Sequence, residues 1–190
     1  MRLVTTLDRG FYRRDPRLVA PELLNKVLDH GGVRGRIVEA EAYLGQTDPA
    51  AHSYKGETPR CRTMFGPPGH LYVYFTYGMH WCANAVCGDG DGVAVLIRAL
   101  EPLAGLDEMH QRRPKARRPR DLCSGPAKLA QALAIDGEFD GADLVTGPVR
   151  VLDDGVPPPD RPAIGTRIGI SVAVDEPWRW WVPDNPHVSR

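Results

Sequence analysis

Strand-like runs that break at glycine turns shape this 190-residue chain. "LDHGGVRGRIVEAEAYLG" reads as a hairpin, with Gly31 and Gly32 in the turn and a second strand over Arg34–Leu44. "GHLYVYFTYGMHWCANAV" reads as a strand Leu71–Tyr77, a tip at Gly78 and Met79, and a strand Trp81–Cys87. "GDGDG" makes the next turn, "VAVLIRALEP" is an apolar strand, and "RPAIGTRIGISVAVDEPWRWW" returns to strands. Strands joined by such short turns run antiparallel. A few helices accompany them: "RDPRLVAPELLNKVLDH" offers Asp15 as cap and Pro16 as first residue, or a shorter helix from Pro21, and "CSGPAKLAQALAI" offers Ser124 as cap with Pro126 in the first turn. The pattern predicts an α+β domain around a mostly antiparallel sheet and lacks the βαβ alternation of a dinucleotide fold.

Several function classes fall away on composition. Hydrophobic residues at 42% and charged residues at 25% are those of an ordinary globular chain. No apolar run approaches the roughly 20 residues of a membrane span, and "MRLVTTLDRGFYRR" lacks the apolar core of a secretory signal. A cytoplasmic protein is expected. Its four cysteines, Cys61, Cys82, Cys87 and Cys123, form no C-x-x-C pair and read as reduced thiols. A zinc site from His80, Cys82 and Cys87 is disfavoured because residues an odd number apart on a strand face opposite ways, so no metal or cofactor is expected. The net charge is zero, yet "RRPKARRPR" concentrates six basic residues in nine. That segment, about 111–121, predicts a solvated, mobile loop that serves either solubility or contact with phosphates.

Candidate chemistry lies on strand faces. Strict alternation over Arg34–Leu44 sends Val38, Ala40 and Ala42 one way and Ile37, Glu39, Glu41 and Tyr43 the other. Glu41 is then either a surface carboxylate near a core tyrosine or, if desolvated, a base able to deprotonate water. Over Leu71–Tyr77, Tyr72, Tyr74 and Thr76 share one face and Leu71, Val73, Phe75 and Tyr77 the other. Tyr77 at the hairpin tip either covers its own hairpin or fills the gap left by a base drawn out of a DNA stack. Lys128, in the first turn of its helix, is an ordinary exposed lysine or a phosphate contact.

"RIVEAEAYLG", "DPAAHSY", "RTMFGPPGHLYVYFTYGMHWCANAV", "VLIRALEP" and "LCSGPAKLAQALAI", in this order, resemble the alkyladenine (3-methyladenine) DNA glycosylase family from about Phe11 to the C-terminus. The resemblance implies one compact domain over residues 1–190, with a curved, mostly antiparallel sheet flanked by helices and a protruding hairpin. It further implies Glu41 as the general base and Arg98 as the guanidinium that positions water and base. Tyr43, His52 and Tyr74 would be the walls around a flipped base, with the His52 amide reading the purine edge. Asn84 would disfavour the guanine amino group, and Tyr77 would intercalate. A further backbone contact to the water falls within "TRIGI". Lys128, Arg112, Arg113, Arg117 and Arg118 are the expected DNA-backbone contacts. None of Lys26, Lys55, Lys115 and Lys128 matches a catalytic amine, so no lyase activity is expected. The expected reaction is release of 3-methyladenine and 7-methylguanine from duplex DNA by a monomer, with weaker or variable action on hypoxanthine. A non-enzymatic nucleic-acid-binding module with an aromatic β-surface is the alternative. A zinc deaminase would need H-x-E and P-C-x-x-C signatures, which the chain lacks.

Overall fold

The structure, a computed structural model, describes residues 4–189; Met1–Leu3 and Arg190 lie outside it. In chain order its elements are β1 (Thr5–Thr6), α1 (Arg9–Tyr12), α2 (Pro16–Leu23), β2 (Val27–His30), β3 (Val33–Tyr43), β4 (Leu71–Thr76), β5 (His80–Cys87) and β6 (Val93–Ala104). They continue as α3 (Leu106–Arg112), α4 (Pro119–Cys123), α5 (Pro126–Leu133), β7 (Val149–Asp153), β8 (Ala163–Gly165) and β9 (Arg179–Trp181). All strands join one curled antiparallel sheet in the order β1-β7-β2-β3-β6-β5-β4, with β9 pairing to the later half of β3 and β8 to β9. The expected α+β domain is what forms. Its core lies between the sheet and the helices, where α2 packs on β3, and α5 packs on β5 and β6.

The pairing of β3 with β6 is irregular at its centre. Ile37 faces Leu100, Glu39 faces Ala99 and Ala40 faces Ile97. Val38 is thus an extra residue on β3, and Arg98 an extra residue on β6, one step further along the ladder. Each bulge reverses the alternation. Ile37 therefore enters the main core with Ala40 and Ala42, which corrects the strict alternation that grouped it with Glu39 and Glu41. Leu100 likewise joins Ile97 in that core, while Leu96 and Arg98 turn to the opposite face.

Local sequence explains most helix ends. Asp15 caps α2 by accepting from the Arg17 amide at 2.8 Å, with Pro16 at the first position and Pro21 inside the helix. Ser124 is not the cap of α5; Gly125 holds that place, with Pro126 following. The segment over 111–121, expected as a solvated, mobile loop, runs from the end of α3 into the start of α4. Arg112 ends α3 and donates to the Ala132 carbonyl at 2.9 Å, and Arg113 donates to Gln131 Oε1 at 2.8 Å. Pro119 stands in the first turn of α4, where a missing N–H removes no helix bond. Lys115 and Arg117 remain exposed. All four cysteines are buried and free.

The β4–β5 hairpin turns on Tyr77 (φ 50°) and Gly78 (φ 65°), closed by the Met79 amide on the Thr76 carbonyl at 3.2 Å. Two left-handed central residues match the right-handed twist of a tight hairpin. Phe75, which shares a strand face with Leu71 and Val73, is 45% exposed and covers Trp81 at 4.7 Å, because the hairpin's outer end runs past the core.

Gly45 starts the loop that leads from β3 towards His52. It has φ +62°, and a Cβ there would lie 2.6 Å from the Asp91 carbonyl oxygen. Gly45→Ala is expected to cost roughly 2–3 kcal/mol through the left-handed penalty and the backbone clash. Melting should register this as a fall of about 5–10 °C; an unchanged Tm would show that the loop can shift at no cost.

Candidate active site

One face of the curled sheet, the loop after β3 and the segment before β9 enclose a cavity of ≈ 600 Å³. That volume is in the range of small-molecule sites. Tyr43 reaches it from β3, Tyr72 and Tyr74 from β4, Cys82 and Asn84 from β5, and Leu96 and Arg98 from β6; His52 and Ile168 come from the flanking segments. Tyr77 stands at its rim, 80% exposed. Tyr43, His52, Tyr74, Tyr77, Asn84 and Arg98 thus meet at one place, although Tyr43 and Arg98 are 55 residues apart in the numbering (98 − 43).

Glu41 lies beneath this cavity with no exposed surface. Its Oε1 accepts from the Ile168 amide at 2.8 Å and sits 3.2 Å from Arg98 Nη1, while its Oε2 accepts from the Tyr43 hydroxyl at 3.0 Å. All three partners line the cavity. Burial pushes the Glu41 carboxyl above its ordinary range, with Arg98, the Ile168 amide and the Tyr43 hydroxyl pulling the other way. The result is a carboxylate that is desolvated but still attractive to a proton. Tyr43 is itself raised by burial and by the Glu41 charge, so its hydroxyl stays a donor.

The far side of Arg98 meets a second buried acid. Glu39, also without exposed surface, accepts from Arg98 Nε at 2.9 Å, Arg179 Nε at 2.7 Å, the Ser189 amide at 2.7 Å and Ser189 Oγ at 2.9 Å. The bulge at Arg98 leaves room for this, since it sends Leu100 to the core while Arg98 stays with Leu96 on the face that Glu39 and Glu41 share. Sequence reasoning placed Glu39 on that face but assigned it no part. It pointed to "TRIGI" without an atom, and the Ile168 amide is the group there that reaches Glu41. Ser189 carries no sequence signal of its own.

The aromatic walls are fixed from behind. Tyr43 backs onto Arg167, whose guanidinium lies 4.7 Å from its ring and 4.9 Å from that of Trp178. Arg167 is fully buried and forms two bonds to Asp48, at 2.6 and 2.9 Å, and one to the Ala42 carbonyl at 3.0 Å. Opposite, His52 stands edge-on to Tyr74 at 4.5 Å, with Nδ1 3.0 Å from the Tyr72 hydroxyl. Desolvation, with a further push from Arg60, lowers His52 to about 4. His52 is therefore neutral near pH 7. Asn84 donates to the Tyr72 carbonyl at 3.0 Å, which fixes its amide in the cavity.

The basic residues divide. Arg112 and Arg113 are turned inward to α5, as described above. Arg118 pairs with Asp121 at 3.0 Å and borders a separate hollow of ≈ 160 Å³ shared with Arg120, Ser124 and Lys128. Lys128 donates to Ser124 Oγ at 3.3 Å. Pro126 and Ala127 of the helix that carries Lys128 line the main cavity. His80 and Cys82 line the main cavity, whereas Cys87 lies in the main core.

Residues 10–186 match the model of the methylpurine-DNA glycosylase family. A protein of Burkholderia cenocepacia named "Putative 3-methyladenine DNA glycosylase" is 59% identical over 189 residues, covering 97% of this chain and 91% of its own length. Proteins with the same name from Rhodopseudomonas palustris and Carboxydothermus hydrogenoformans are 50% and 48% identical, each over 97% of this chain and over 88% and 98% of their own lengths. No helix among the described residues is long and apolar enough to cross a membrane. The match over nearly the whole chain, together with a buried carboxylate under an aromatic cavity, makes this protein a member of the methylpurine-DNA glycosylase family, an N-glycosylase whose substrate is DNA.

Proposed function

We propose that this protein draws alkylated purines out of duplex DNA into the aromatic cavity and hydrolyses their N-glycosidic bond with a water activated by Glu41. The observation that carries this reading is the Glu41 carboxylate, desolvated yet held by Arg98, Tyr43 and Ile168 at the cavity floor. Water attacks the sugar C1′, its proton passes to Glu41, the C1′–N bond breaks, and the bonding pair goes to the departing base. A base alkylated at a ring nitrogen, such as 3-methyladenine or 7-methylguanine, is cationic. That pair neutralises it, so it leaves readily. The Glu41 charge also offsets the positive charge that builds on the sugar.

Stacking between Tyr43 and Tyr74 would favour a cationic base by roughly 0.5–2 kcal/mol. Hypoxanthine is neutral, needs protonation to leave, and should be released more slowly. No lysine among the described residues borders the cavity, which supports hydrolysis without Schiff-base strand cleavage. A non-enzymatic DNA-binding surface would gain nothing from a buried carboxylate, whose desolvation costs several kcal/mol unless function or pairing offsets it.

Glu41→Gln keeps the shape of the side chain and removes the base. Single-turnover release of 3-methyladenine should fall about 10²–10⁴-fold, with affinity for the lesion duplex nearly unchanged. Near-normal release would remove Glu41 from the mechanism.

Tyr77 is exposed and contributes little to the core, so Tyr77→Ser should melt close to the parent. If it fills the gap in the stack, excision from a well-paired duplex should fall roughly 10–100-fold, since extrusion costs a few kcal/mol. A mismatched lesion should lose less. Equal losses on both duplexes, or a collapsed Tm, would count against intercalation.

Lys115 and Arg117 are two exposed cations of the basic connection. Replacing both with Ala should weaken damaged and undamaged DNA alike and lower the salt slope by about 0.9 for each phosphate that the variant no longer neutralises. An unchanged slope would assign the segment to solubility.

A further inference from the structure

We infer that Glu39 is a positioning residue for the reaction, which holds Arg98 in the orientation Glu41 requires and is itself locked by Ser189 from the far end of the chain. This rests on the proposed role of Glu41. Arg98 meets Glu39 through Nε at 2.9 Å and Glu41 through Nη1 at 3.2 Å. One planar guanidinium therefore spans both acids, and fixing its Nε edge fixes where Nη1 points. Of the partners of Glu39 only Arg98 borders the cavity, whereas all three partners of Glu41 do, so any effect of Glu39 on catalysis passes through Arg98 and Glu41.

Its bonding fits that task. Glu39 Oε1 accepts from Arg98, Arg179 and Ser189 Oγ, while Oε2 accepts from the Ser189 amide; Arg98 Nη2 in turn donates to Ser189 Oγ at 3.2 Å. Two acids face two arginines, so Glu41 can ionise without leaving an unbalanced buried charge. Glu39 also keeps Arg98 from pairing with Glu41 alone. An arginine given wholly to Glu41 would make that carboxylate a weaker base. Among the described residues, the charged and titratable groups facing Glu41 are Arg98, Tyr43 and Glu39; those facing Glu39 are Arg98, Arg179 and Glu41.

The sign of the pH effect follows. The Glu39 charge raises the Glu41 carboxyl, and Arg98 lowers it. Glu39→Gln removes the first influence and strengthens the second, so Glu41 should stay ionised to lower pH. Single-turnover release of 7-methylguanine from duplex DNA, followed across pH, should fall about tenfold or more at neutral pH. The acidic limb of its rate profile should also move to lower pH, with lesion-duplex affinity retained. Ser189→Ala leaves every charge in place and loses only the Oγ bonds. It should lower the rate in the same direction by a smaller factor, and it carries the test if Glu39→Gln does not fold.

A loss of rate that only follows the folded fraction, with the acidic limb unmoved, would overturn the inference and leave Glu39 a core ion pair. Glu39→Asp keeps the charge but shortens the reach, and should restore the position of the limb more fully than the rate. An inactive parent protein would overturn the functional reading and this inference together. An active parent with unaltered Ser189→Ala and Glu39→Gln rate profiles would overturn this inference alone.

Discussion

Arg98 stands between Glu39 and Glu41, and the surrounding sheet is bent to put it there. A regular β3–β6 ladder would keep Leu100 on the same side as Arg98 and Ile37 on the same side as Glu39. The paired bulges at Val38 and Arg98 break that parity twice. Ile37, Ala40, Ile97 and Leu100 can then pack in one core while three charged side chains share the other face. Without the bulges, an apolar residue would project among the charges or a charge into the core. Each buried ion costs several kcal/mol in lost hydration, which only close partners can offset. Arg179, Ser189, Tyr43 and the Ile168 amide supply the remaining bonds.

A second buried pair does for the aromatic wall what this cluster does for the carboxylates. Asp48 accepts from Arg167 and from the amides of Leu44 and Ala50. It thus ties the loop carrying His52 to the segment carrying Ile168. Arg167 also fills the space between Tyr43 and Trp178. The ring of Tyr43 is consequently fixed on its back, and its hydroxyl is fixed by Glu41. One tyrosine links the surface on which a base could stack to the group that could activate water.

How much of this could be read from the chain depends on the range of each interaction. The Asp15 cap, the glycine turns and the face shared by Tyr72 and Tyr74 are set within a few residues, and the sequence predicts them. A bulge has no compositional mark, because it comes from the register of two strands, so Ile37 is misplaced by simple alternation. Ser124 resembles a cap, but helix α5 starts one residue later, at Pro126 after Gly125. The basic run reads as a loop because its partners, Gln131 and Ala132, lie on a helix that follows it. The bonds of Ile168 and Ser189 span 127 and 150 residues and use backbone amides. Every non-proline residue carries such an amide, so its identity says nothing about them. Glu41, Tyr43, His52, Tyr74, Tyr77, Asn84 and Arg98 are reached only through ordered motifs, and the fold brings them to one cavity. Their roles in the reaction rest on the proposed mechanism.

The hairpin tip shows the same separation of fold from function in its backbone. A tight turn with two left-handed residues is most easily made by Asn-Gly or Gly-Gly, since a side chain in that region is strained by roughly 1–2 kcal/mol. Here the first of the two is Tyr77, a bulky residue with φ 50° and most of its surface in solvent. Neither propensity nor core packing favours a tyrosine at that place. The strain therefore works against the fold at the rim of the cavity, and strained residues of this kind cluster where a protein meets its ligand. The turn fixes the backbone of Tyr77, so inserting its exposed ring between stacked bases would require the ordering of one side chain and not of a segment. On the proposed mechanism, the cost to the hairpin and the benefit to binding would fall on the same residue.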